Sequence, residues 1–186
     1  MVKILDRDSS ILRQKAKIVP SKDIKSPRIK KIIRDMKLAL DGEDDGVAIA
    51  APQIGAPLRL FVVSPKIFDI VTRKTDKTAI KKPVAKHIIC INPVVIKASK
   101  EKMVVEEGCL SVRYLYGDVK RAAKIKIRAT DEKGKTFEIG GSGLLAQIFQ
   151  HEIDHLDGIL FTDKAANIHD MPPETESGGE KTKSND

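Results

Sequence analysis

Apolar residues recur along this chain in two rhythms. Ile29, Ile32, Ile33, Met36 and Leu40 follow at helical spacing behind Ser26 and Pro27, which suit an N-cap and first helical position, and Asp41-Gly42 stops the run. A second helical stretch carries Leu144, Leu145, Ile148, Phe149, Ile153 and Leu156. Elsewhere the rhythm is that of strands. Residues 58–63 predict a strand buried on both faces, and residues 87–96 a strand interrupted at Asn92-Pro93, whose proline places it at a sheet edge or strand end. Residues 124–128 and 136–139 alternate on either side of a turn at 131–134, which predicts a hairpin. Gly140, Gly141, Ser142 and Gly143 then free the chain to enter the second helix. A short helical turn is expected at 163–167. Residues 1–168 are expected to form one domain, and 169–186 a polar tail unable to bury enough apolar surface to order itself.

Composition narrows the setting. No apolar run approaches the roughly 20 residues of a membrane span, and the start meets charge too early for a secretory segment, so a cytoplasmic location without membrane contact is expected. The two cysteines should be free there. Cys90 lies in an apolar run and reads as packing; Cys109 has a different setting. The net charge of +8 reads first as a lysine-rich solvated surface, with attraction of polyanions, ribosomal RNA among them, as the other reading. Aromatics at 4% offer no base-stacking platform, so no sequence-specific nucleic acid is expected. Residues 64–86, with Arg73, Lys74, Lys77, Lys81, Lys82 and Lys86, read as an exposed loop or mobile hairpin.

The second helix carries His151-Glu152-Ile153-Asp154-His155. Residues four apart share a helix face, so both imidazoles fall on the stripe of Leu144 and Ile148, while Gln147, Gln150, Asp154 and Asp157 fall on the other side. Neutral imidazoles suit a transition metal, and Glu152 can reach a water there without being a ligand. Two histidines on a helix can also be plain structural residues; a third ligand decides between these readings. Downstream, Phe161 stands where one metallopeptidase class has its third histidine, and Glu174 and Glu176 fall in the polar tail. Upstream, Cys109 sits between Gly108, which gives backbone freedom, and Leu110-Ser111. A thiolate and two imidazoles would make a tripod for a borderline-soft divalent metal; a buried free cysteine is the other reading. The small residues from Gly46 to Gly55 let another backbone approach closely, or mark a tight turn beside a packed strand.

Taken in order, Gly46-Val47-Ala48-Ile49-Ala50-Ala51-Pro52-Gln53, Glu107-Gly108-Cys109-Leu110-Ser111 and Gln150-His151-Glu152-Ile153-Asp154-His155, with Ile4-Leu5, Leu12-Arg13 and Ala16, resemble the peptide deformylase family over about residues 2–165. The resemblance implies an α+β fold, with antiparallel or mixed β-sheets packed around a central metal-binding helix. It implies a hydrolase that removes the formyl group from N-formylmethionyl nascent peptides, with the ribosome near its exit site as a further partner. It also implies one divalent metal ion per chain on Cys109, His151 and His155, Fe2+ in the cell, with Zn2+, Ni2+ or Co2+ accepted by the same donors. Glu152 would carry the proton, and the Gln53 amide with the Leu110 backbone N–H would meet the oxyanion. The substrate would lie extended on Gly46, Val47 and Ala48. Val47, Val105, Leu144 and Ile148 would form the methionine pocket, unless they are plain core. Glu107 and Arg121 would pair to brace the Cys109 strand.

The chain departs from the family pattern at Ala48 and Ile49, where glycine and leucine are usual, and at Gln147, where an apolar residue is common near the methionine pocket. Its acidic tail is unlike the basic C-terminal helix with which some members dock on the ribosome. Two other functions are weighed: a metallopeptidase of another specificity, and a catalytically degenerate ribosome- or RNA-binding relative. Intact Glu152 and Gln53 argue against degeneracy.

Overall fold

The computed structural model describes residues 2–68, 70 and 86–172. Arg73, Lys74, Lys77, Lys81 and Lys82 of the expected exposed loop, and residues 173–186 of the expected tail, lie outside the described residues. Where that loop begins, Ser64 and Ile67 are buried, so residues 64–68 are packed against the body.

Five strands, β1 (Ala48–Ala50), β2 (Leu60–Val63), β3 (Ile88–Ala98), β6 (Lys124–Thr130) and β7 (Thr136–Ser142), form a sheet in the order β1-β2-β3-β6-β7. A smaller sheet joins β4 (Lys102–Gly108), β5 (Leu115–Ala122) and β8 (Ala166–Asp170) in that order. Every pairing between these strands is antiparallel, and the fold is α+β as expected. Helices α1 (Pro27–Asp41) and α2 (Gly143–Leu156) cover opposite faces of the large sheet.

The sidedness follows from β2. Leu60 and Val62 pack with Ile29, Ile33, Met36 and Leu40 of α1, whereas Phe61 and Val63 pack with Ile148, Phe149 and Ile153 of α2. All four β2 residues are fully buried, which is why this stretch reads as a continuous apolar run. The α1 boundaries are as predicted: the Ser26 side chain accepts from the Ile29 N–H at 3.3 Å, and Gly42 ends the helix. The β6–β7 hairpin also forms, and Gly143, at φ +54°, turns its end directly into α2.

Two expectations are corrected. Asn92-Pro93 does not put β3 at an edge; β3 is the central strand, and the pair sits in a bulge where the register to β6 slips between Ile91 and Val94. Asn92 adopts φ +52°, and its side chain bonds the Val19 backbone at both ends (2.9 and 2.8 Å), so the proline falls where no ladder bond is needed. The short helical turn expected at 163–167 is instead a 3-10 turn at Phe161–Asp163 followed by β8, which runs to Asp170 and so takes in the first residues assigned to the tail. All β8 side chains are exposed; backbone pairing with β5 holds it, and hydropathy gives no sign of that.

Helix α2 is gripped on both stripes. Its apolar stripe enters the core, as the pattern requires. The opposite stripe is not left to solvent. Gln150 bonds both the N–H and C=O of Ala122 (2.9 and 3.1 Å), Asp154 takes Arg121 and Lys164 (2.6 and 2.7 Å), and Asp157 takes Arg59 (2.7 Å).

Candidate metal centre

Cys109 follows β4 directly, in a turn closed by the Val112 N–H on its carbonyl at 2.9 Å. Its Sγ lies 3.2 Å from Nε2 of His155, and the ligand atoms of Cys109, His151 and His155 all fall within 4.8 Å of one another. One helical turn separates the two imidazoles, whose centroids are 4.9 Å apart. His151 Nδ1 is 2.9 Å from Glu107 Oε2, which leaves its Nε2 for the group. Glu107 receives both Nε and Nη2 of Arg121 (2.7 and 2.8 Å), the pairing expected from sequence, and Arg121 continues to Asp154. The chain of charges fixes the ring plane of His151 from behind, as carboxylates do for metal-binding histidines.

Glu152 is 3% exposed, and its Oε2 has no hydrogen-bond partner among the described residues; the same is true of His155 Nδ1. A sulfur and two ring nitrogens this close, beside an unspent buried carboxylate, fit a divalent transition metal. The electrostatics agree. Burial alone would raise the Cys109 thiol, but His155 and His151 outweigh it and hold it at about 5. Burial likewise opposes the charge on Glu107, yet Arg121 and His151 bring its carboxyl down to about 2. His151 is held well above its ordinary value, against its burial, by Cys109 and Glu107. Glu152 is raised to about 7 by burial, the two histidines offsetting part of the effect. Cys90 is fully buried in the core, and burial pushes its thiol up, as packing alone would.

A cavity of about 290 Å³ opens beside this group. Gly46, Val47, Ala48, Leu144 and Ile148 line it as expected, and the last four also touch the core, so the pocket and core readings both hold for them. Val105 does not line it. It shares a face of β4 with Glu107 but stands one two-residue step farther away, opposite Val119. Tyr114, Leu115 and Tyr116 form that wall instead. Sequence reasoning missed them because only the Gly108↔Tyr116 register of β4 and β5 brings them there. Gly108 itself is glycine for another reason than backbone freedom: a Cβ there would lie 2.6 Å from the Tyr116 ring. Gly108→Ala should therefore destabilise the chain by about 1–3 kcal/mol in urea unfolding. Adding Tyr116→Ala should recover part of that loss, and strictly additive effects would refute the clash. Gln147, on the polar stripe by periodicity but near the methionine pocket by the family resemblance, lines the cavity and donates to the Glu106 carbonyl at 2.8 Å.

Gln53 is placed by the 3-10 turn Ala51–Ile54 that follows β1. Its Oε1 accepts from the Ala50 N–H at 2.8 Å, which fixes the amide orientation. Nε2 then points at Ser111 Oγ (3.1 Å) and Cys109 Sγ (3.6 Å). Among the described residues the Leu110 N–H, in the turn after Cys109, makes no hydrogen bond. Among the described residues β1 is an edge strand. Val47 spends its carbonyl on Ser64 (2.8 Å), so by alternation Val47 and Ile49 face β2 while Ala48 turns its N–H and C=O to the open side.

The polypeptide deformylase family model matches residues 1–171. The chain belongs to the polypeptide deformylase family. It is 38% identical to peptide deformylase 2 of Clostridium acetobutylicum over 156 residues, 84% of this chain and 89% of that one. It is 40% identical to the peptide deformylase of Desulfitobacterium hafniense over 162 residues, 87% of this chain and 93% of that one. The crystal structure of peptide deformylase from Thermotoga maritima superposes with a TM-score of 0.74 at 30% identity, covering 89% of this chain and 98% of that one. Deformylases are metal-dependent hydrolases that remove the formyl group from N-terminal methionine, and Cys109, His151 and His155 are the group here that could hold the metal. Neither a metallopeptidase of another specificity nor a degenerate RNA-binding relative is supported by these relatives. Among the described residues no helix is long and apolar enough to cross a membrane.

Proposed function

We propose that this chain deformylates N-formylmethionyl nascent peptides with Cys109, His151 and His155 holding one divalent metal ion, ferrous iron in the cell. Zn2+, Ni2+ or Co2+ would suit the same donors. The observation that carries the reading is the Cys109–His151–His155 group beside buried Glu152, at the end of an apolar cavity. When bound, such an ion supplies Lewis acidity toward the formyl oxygen and lowers the pKa of water.

The side chains do the rest. Glu152 takes a proton from water as its oxygen bonds to the formyl carbon. It returns that proton to the amine nitrogen as the C–N bond breaks, leaving formate and a free N-terminal methionine. The Gln53 amide and the Leu110 N–H donate to the oxygen that gains charge. Val47, Leu144 and Ile148 take the methionine side chain, with Gln147 at the cavity wall adding a polar neighbour. The peptide pairs with the open Ala48 groups as an added strand. Because the reacting centre adjoins Gln53, beyond the C-terminal end of β1, the peptide runs antiparallel to β1, past Ala48 and Gly46 toward Asp45. A formyl group carries only hydrogen on its acyl carbon, and we assign the exclusion of longer acyl groups to the tight space between Gln53, Cys109 and Glu152. We place this activity in the cytoplasm, at the ribosomal exit where formylated chains emerge.

Anaerobically purified protein should turn over a formyl-Met peptide and carry about one divalent metal ion per chain by elemental analysis. Cys109→Ser should lose metal and turnover together. Unchanged metal content in that variant would eliminate the three-ligand site.

A further inference from the structure

The cavity has two walls, tied together at both ends. At the inner end Gln53, on the β1 side, donates to Ser111 on the Cys109 side; both are buried, at 2% and 1% exposure. At the outer end Arg113, four residues past Cys109, reaches to the loop that precedes β1. Its Nη1 lies 3.2 Å from Asp45 Oδ2, and its Nη2 donates to Glu43 Oε2. This outer tie is partly in solvent, with the Arg113 and Glu43 side chains each 32% exposed and Asp45 59%. Arg113 and Asp45 both line the cavity. The open Ala48 groups lie between the two ties, and Gly46 follows Asp45 directly.

The loop is held on its own side through the main chain of Glu43, whose carbonyl receives the Gly46 N–H (3.2 Å) and Lys66 Nζ (2.9 Å). Across the cavity, among the described residues, Arg113 supplies the hydrogen bonds from the Cys109-side wall to Glu43 and Asp45. We infer that Arg113 is a positioning residue, which by gripping Glu43 and Asp45 sets the distance between the substrate-docking edge and the turn carrying Cys109 and Leu110. This rests on the deformylation reading above. The buried inner tie fixes the formyl end whatever happens outside. Loosening the outer tie should therefore disturb the part of the substrate beyond methionine and leave the reacting centre in place. Partly exposed ion pairs are weak and screened by salt, so the effect is modest and salt-sensitive.

The test compares two neutral substrates, a formyl-Met tripeptide and formyl-methionine amide, on the metal-loaded enzyme. Arg113→Gln should raise KM for the tripeptide roughly threefold to tenfold, the scale of one or two such ion pairs. The amide KM, and kcat for both substrates, should stay within about twofold, and Arg113→Lys should recover part of the loss. Asp45→Asn, and wild type in high salt, should move the same way, which provides the answer if Arg113→Gln folds poorly. An unchanged tripeptide KM, an equal rise for both substrates, or a fall in kcat would overturn the positioning role. Wild-type protein that deformylates neither substrate would sink the underlying reading itself, a result distinct from all of these.

Discussion

Glu152→Gln should leave metal content unchanged and cut formyl-Met-peptide turnover by roughly 10²–10⁴-fold, the usual contribution of a positioned acid–base group. The substitution keeps the shape of a side chain that is 3% exposed, so the fold has little reason to respond. What it removes is a site that can gain and lose a proton. Burial raises this carboxyl to about 7, and among the described residues its Oε2 has no hydrogen-bond partner to compete for the proton. The loss should appear in kcat more than in KM, since Glu152 acts on the reacting atoms and contributes little to holding the methionine. Elemental analysis beside a formate-release assay checks both halves; full turnover in the variant would remove Glu152 from the mechanism.

The second large effect is expected at Gln53. Gln53→Leu should lower kcat/KM by about 10²–10³, as deletion of an oxyanion donor does, while metal occupancy changes little. The magnitude depends on pre-orientation. Ala50 holds Oε1, so Nε2 has no choice of direction and adjusts nothing when charge develops in front of it. Leucine also leaves the Ala50 N–H and the Ser111 hydroxyl without this partner, which should cost about 1–3 kcal/mol of stability. Assays are best run well below the variant's unfolding midpoint, determined in urea. A stable variant with normal turnover would refute the oxyanion role and leave Gln53 as a strap between the walls.

Local information carried α1, β2, the β6–β7 hairpin and the two histidines, because each depends on residues within a few positions of one another. The Glu107–Arg121 pair was expected only through the family resemblance, since the two residues lie on separate strands whose pairing no local pattern gives. What the sequence could not supply depends on strand register. Tyr116 meets Gly108 through a β4–β5 pairing, and Val105 misses the cavity by a single two-residue step. Asn92-Pro93 resembles a strand end until its bulge is placed against β6 and its side chain against Val19. Helical periodicity put Gln150 and Asp154 on the polar stripe of α2 without revealing that a second sheet lies over it. Arg113 carries no sequence signal of its own, since its partners are about seventy residues away.

The strip of backbone offered to substrate has a consequence for behaviour in a crowded compartment. Unpaired strand edges invite other chains to add themselves, and that is how many sheets begin to aggregate. Here β1 is three residues long, and the Gln53 side chain already occupies the Ala50 N–H. Too little ladder remains to recruit a foreign sheet, though enough remains for a single short guest. Among the described residues the chain can therefore keep this buried edge unpaired beside the cavity without becoming sticky.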